Sequence, residues 1–90
     1  MTIIDELKKA KEIIENNGGV IVKDYTLINN YGVTFELNEI PYDARHWINC
    51  YGCEVNYYEV HKFIDFKDDE KNRKIIEKIK EELNKMIMEE

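Results

Sequence analysis

Proline, glycine, cysteine and histidine are all scarce: one Pro, four Gly, two Cys and two His in 90 residues. The single proline, Pro41, and the few glycines exclude a linker-rich plan, and the length suits one domain spanning residues 1–90. A chain of this size buries only about 60–65% of its unfolded surface, so the core is small and a deep catalytic cleft is not expected. No apolar run approaches the roughly 18 residues of a spanning helix. Asp5, Glu6, Lys8 and Lys9 interrupt the start, which leaves no apolar signal segment. Two cysteines in such a chain are expected to be reduced thiols, and the location to be cytoplasmic with no membrane partner.

Basic charge is the other shortage. Thirteen Lys and Arg face nineteen Asp and Glu, for a net charge of −6. From Gly19 to Phe66 the bases are Lys23, Arg45 and Lys62, against Asp24, Glu36, Glu39, Asp43, Glu54, Glu59 and Asp65; three minus seven is −4. An acidic surface repels phosphate backbones, so direct nucleic-acid binding is not expected and a protein partner with a basic surface is.

Chemistry-bearing motifs are equally sparse. There is no Gly-rich phosphate loop, no P-loop and no HExxH. Every Cys and His falls in one run, His46-x3-Cys50-x2-Cys53-x7-His61. Ile28-Asn29-Asn30-Tyr31-Gly32-Val33 is echoed by Ile48-Asn49-Cys50-Tyr51-Gly52-Cys53, and the first copy carries Asn30 and Val33 where the second carries the thiols. The turn itself therefore does not need cysteine. On a flat hairpin turning at Tyr51-Gly52, Cys50 faces Cys53, His46 faces Tyr57, and His46 lies about 13 Å from Cys50 along the strand. Zinc–ligand bonds are about 2.0–2.3 Å, so one ion cannot gather all four side chains there. The leading reading makes Cys50 and Cys53 small half-buried hydrophobes, with no cofactor and no metal. A zinc or redox module on Cys50 and Cys53 stands as an alternative. No carboxylate pair or Cys-His spacing supports an enzyme.

What the chain does have is amphipathic pattern. Ile3, Ile4, Leu7, Ala10 and Ile14 recur at helical spacing behind Thr2 and Asp5 in capping-box positions, and Asn16-Asn17-Gly18-Gly19 stops them, predicting a helix over Thr2–Asn16. Val20–Ile28 and Val33–Leu37 read as strands joined by a turn at Asn29–Gly32. Asn38–Asp43, with Pro41, reads as a loop. Ala44–Cys50 and Cys53–Val60 read as a second hairpin, and the alternation breaks near Glu59, which suggests a bulge or bend. Asp68, Asp69 and Glu70 open a last helix over Asp69–Met88, whose stripe is Ile75, Ile76, Ile79, Leu83, Met86 and Ile87. The expected fold is α+β: a two-layer sandwich in the order α-β-β-β-β-α, with both helices on one face of a four-stranded antiparallel sheet.

That pairing sorts the strands into two faces. Ile28, Val33, Phe35, Leu37, Ile48, Val55 and Tyr57 are expected in the core. Tyr25, Leu27, Glu36, Arg45, Trp47, Glu54, Asn56 and Tyr58 are expected on the open side. Trp, Tyr and Arg dominate binding hot spots, which makes Trp47, Tyr58, Tyr25 and Arg45 the candidate partner-binding residues, with Glu36 and Glu54 steering a basic partner. The expected function is a small, acidic, non-enzymatic protein-binding module. In size and charge the chain resembles small phage-encoded inhibitors of host defence, such as anti-CRISPR proteins; the likeness is one of class and carries no shared motif. It implies a basic, nucleic-acid-binding host protein as the target. A further alternative is a homodimeric regulator or toxin–antitoxin subunit that self-associates through the C-terminal helix.

Overall fold

Thr2 starts the first helix as its spacing to Asp5 predicts. Its hydroxyl accepts a hydrogen bond from the Asp5 backbone N–H at 3.2 Å, and the Asp5 carboxylate reaches back to the Thr2 N–H. In the computed structural model, which describes residues 2–47 and 57–89, helix α1 (Ile3–Asn16) leads into strands β1 (Val20–Thr26), β2 (Asn30–Leu37), β3 (Ile40–Trp47) and β4 (Tyr57–Lys62). A 3-10 turn, Glu70–Asn72, then opens helix α2 (Arg73–Met88). The sheet is an antiparallel meander in the order β1-β2-β3-β4. Gly18, with φ of 91°, and Gly19 end α1, and their N–H groups bond the Glu15 and Ile14 carbonyls.

Both helices pack on one side of the sheet. Leu7, Ala10 and Ile14 of α1 and Ile79, Leu83 and Ile87 of α2 close over Val33, Phe35, Leu37, Tyr42, Ala44 and Tyr58. The apolar stripe of α2 is therefore spent on the chain's own core. The α-β-β-β-β-α order and the two layers are as the periodicity predicts.

Three local expectations are corrected. The β1–β2 turn lies at Leu27–Asn29, where the Leu27 N–H donates to the Asn30 carbonyl, so Asn30, Tyr31 and Gly32 belong to β2. Ile28 is consequently at the turn and 94% exposed, not in the core. The expected loop Asn38–Asp43 shrinks to the two residues Asn38 and Glu39, both with positive φ, of 51° and 67°. Pro41 sits inside β3 opposite the end of β4: its carbonyl accepts from the N–H of Phe63, one residue past Lys62, so its missing N–H falls at the end of that ladder. Strand β4 pairs regularly through Glu59, and the register break falls in β1 between Ile21 and Lys23 instead.

The fourth correction changes which residues face out. The pairs are His46↔Tyr58 and Trp47↔Tyr57, one residue off the expected His46↔Tyr57. A slip of one turns a whole strand over. Tyr58, expected on the open side, is 0% exposed in the core, and Tyr57, expected in the core, is exposed. The inner side holds Tyr58 in place: its hydroxyl bonds Glu6, and its backbone N–H and C=O bond the Asn84 side chain of α2 at 2.8 and 3.2 Å. The expectations on Ile48, Cys50, Tyr51, Gly52, Cys53, Glu54, Val55 and Asn56 lie outside the described residues.

Candidate functional site

The side of the sheet turned away from the helices carries no further element among the described residues. Alternation along β3 sends Asp43, Arg45 and Trp47 to that side, and along β4 it sends Tyr57, Glu59 and His61. Cross-strand register then assembles three rows. Asn30, Trp47 and Tyr57 form one, Tyr25, Gly32, Arg45 and Glu59 the next, and Lys23, Thr34, Asp43 and His61 the third.

Gly32 makes the middle row possible. A Cβ there would run into the Ala44 carbonyl oxygen and crowd the Tyr25 hydroxyl. Without one, the Tyr25 ring lies across the β2 backbone and places its hydroxyl at the centre of a network. That hydroxyl donates to the Asp43 carboxylate at 2.9 Å and accepts from Arg45 Nε at 2.9 Å. Arg45 also meets Asp43 through Nη2 at 3.3 Å. Its guanidinium lies 5.7 Å from the Tyr25 ring centroid and 5.3 Å from that of Trp47, held between the two aromatics. Burial pushes the Tyr25 phenol up to about 12; the Arg45 bond opposes this and Asp43 adds to it. Tyr25 therefore stays a protonated donor.

The network continues past Trp47. Its indole N–H donates to Glu59 Oε2 at 2.7 Å, the Tyr57 hydroxyl donates to Glu59 Oε1 at 2.9 Å, and His61 Nε2 lies 3.0 Å from Oε2. Burial alone would raise the Glu59 carboxyl, but the bonds from His61, Trp47 and Tyr57 outweigh it and hold it below the usual carboxylate value. Asp43 and Glu59 thus spend their oxygens on fixed donors. That arrangement holds the side chains of the face in one geometry. Asn30, opposite Trp47, buries its Oδ1 with no hydrogen-bond partner among the described residues.

Of the candidate residues, Trp47, Arg45 and Tyr25 come together here. Glu36 is exposed on the same side but pairs with Val20 and Pro41 at the far end of the sheet, about 13 Å along β2 from Gly32. Tyr58 is not part of the face, and Glu54, Cys50 and Cys53 lie outside the described residues. Asp43, Glu59, Tyr57 and His61 were missed. Their signal is nonetheless in the chain, as the alternations Asp43-x-Arg45-x-Trp47 and Tyr57-x-Glu59-x-His61.

A second polar cluster lies inside. Glu6 is 4% exposed, and its carboxylate takes the Tyr31 and Tyr58 hydroxyls at 2.9 and 2.7 Å and His46 Nδ1 at 2.8 Å. Burial pushes the Glu6 carboxyl up, and the bonds from His46, Tyr58 and Tyr31 more than reverse this, leaving it lowered. Enclosed by both helices and three strands, this cluster has the character of a structural tie. Among the described residues, no three His, Cys, Asp or Glu side chains are grouped to hold a metal ion, and no helix is long and apolar enough to cross a membrane.

Comparison with known proteins matches the chain to no family, no curated relative and no solved structure.

Proposed function

We propose that the chain is a non-enzymatic protein-binding module that docks the open sheet face on a larger protein. The observation that carries this reading is the stack of Tyr25, Arg45 and Trp47, fixed at both ends by Asp43 and Glu59. Side chains already held in one geometry lose little entropy on binding, and this is the residue set that anchors interfaces. The steering charge comes from the molecule as a whole, at −6, because the acids within the stack are matched by their own donors. A basic partner is therefore favoured, and a protein that ordinarily holds nucleic acid is the natural class. An inhibitor of phage type, acting on such a host protein, fits this reading.

The test is affinity capture from a lysate of the source organism, with the wild-type chain beside a Trp47→Ala variant. One basic protein retained by the wild type and lost with the variant supports the reading. Equal capture by both chains, or none by either, removes it. Circular dichroism of the variant keeps loss of binding separate from loss of fold.

A further inference from the structure

Two apolar patches lie at opposite ends of the sheet, outside the open face. The first is where α1 begins beside the end of β1. Ile4 is 79% exposed there, over a groove of about 360 Å³ lined by Ile3, Leu7, Lys8, Lys11, Asp24 and Thr26. Lys11 pairs with Asp24 at 2.7 Å, so two lysines minus one aspartate leave this groove at +1 on a molecule of −6. The second patch follows β4. Phe66 is 93% exposed and Phe63 58%, among exposed Asp65, Lys67, Asp68 and Glu70; one base minus three acids is −2. The Phe63 N–H is tied to the Pro41 carbonyl, which places this segment at the β2–β3 turn end of the sheet, whereas Thr26 marks the β1–β2 turn end.

We propose that the acidic aromatic segment Phe63–Glu70 of one copy seats in the α1–β1 groove of a second copy, in a head-to-tail contact. A small positive apolar groove on an acidic protein selects an acidic, apolar visitor. The chain presents such a segment on its own surface, with Phe66 almost wholly open to water and Phe63 more than half exposed. Two exposed phenylalanines three positions apart give the segment apolar surface for a second copy to bury. A head-to-tail contact of this kind is heterologous and generates a ring or an open chain. It leaves the face around Trp47 free, so it stands apart from the binding function above.

The test is sedimentation velocity on the full chain across a concentration series at physiological salt, which screens the repulsion between copies of net charge −6. The expected result is a mass that grows with concentration. Phe66→Ser removes the segment's anchor and Ile4→Ser removes the groove's wall; both replace exposed side chains, and thermal melts confirm folding. Each variant alone is expected to stay monomeric. Mixed, they are expected to give a 1:1 dimer that grows no further, because only the groove of Phe66→Ser and the segment of Ile4→Ser remain to meet. Trp47→Ala is expected to assemble like wild type. A monomer up to millimolar concentration overturns the proposal, and so does assembly that survives Phe66→Ser or is lost with Trp47→Ala.

Discussion

Tyr58 and His46 bond the same oxygen, Glu6 Oε2, at 2.7 and 2.8 Å, while their rings stack with centroids 4.7 Å apart. The two residues are also directly opposite in the β3–β4 register. One carboxylate on α1 therefore ties together a register pair of β3 and β4. A slip of one residue would carry Tyr58 to the other face and out of reach of Glu6. The outward direction of Trp47, adjacent to His46, rests on the same contact.

Glu6→Leu should destabilise the fold by about 3 kcal/mol, because it removes a buried carboxylate that two hydroxyls and an imidazole share. Urea denaturation followed by circular dichroism measures this. A loss within about 0.5 kcal/mol, the range of ordinary surface changes, would show that the cluster contributes no net stability.

The acid limb of stability has a definite sign. The Glu6 carboxyl is lowered from 4.5 in the folded state, so its contribution is complete above that value and is lost as pH falls through the lower, folded one. Glu59 and Asp69, also lowered, act in the same direction. Stability should be level near neutrality and decline below about pH 4.5. In Glu6→Gln the decline should be shallower, which melting temperatures across a pH series would reveal.

Glu39→Gly should stabilise the chain by about 0.5 kcal/mol. Glu39 holds a φ of 67°, a left-handed conformation that costs a residue with a Cβ about 1–2 kcal/mol, and part of the relief is cancelled by the freer unfolded chain. Differential scanning calorimetry should show a higher midpoint, and a lower one would mean that the Glu39 side chain contributes more than its backbone strain costs.

Asn84→Ala should cost about 1–2 kcal/mol, since the Asn84 side chain serves both backbone groups of Tyr58 on the outer edge of β4 as a neighbouring strand would. Hydrogen exchange at the Tyr58 amide is the specific readout. It should accelerate more than amides in β2, and uniform acceleration would point to global destabilisation alone.

Trp47→Ala should leave the fold intact at a cost of about 1 kcal/mol, from the lost stack on Arg45 and the lost bond to Glu59. Partner capture should fall by at least tenfold. A variant that fails to fold would instead make Trp47 a structural residue and remove the ground for the docking face.

Some of this was legible in the chain itself. The helix at Ile3–Asn16 is written in the spacing of Leu7, Ala10 and Ile14 and in Thr2 and Asp5 at its start. Helix α2 is written in Ile79, Leu83 and Ile87. That Arg45 and Trp47 share one face follows from strand alternation. The first hairpin was misjudged because Asn30-Tyr31-Gly32 has turn composition. Its glycine serves another need, the close passage of the Tyr25 ring over the β2 backbone. The short β2–β3 turn was hidden because a proline inside β3 reads as a loop until it is known that β4 has already ended beside it.

Local pattern determines where helices and strands form, because propensity, capping and periodicity act within a few residues of one another. It determined the layers here, and the α-β-β-β-β-α order with them. Register and partnership act between residues distant in sequence, and only the packed structure decides them. Glu6 and Tyr58 are 52 positions apart, yet their bond determines which tyrosine of the Tyr57–Tyr58 pair is buried and which meets solvent. Both have the same side chain and the same strand preference, so what distinguishes them is tertiary: the Glu6 carboxylate on α1, the Asn84 side chain on α2 and the His46 ring all meet Tyr58.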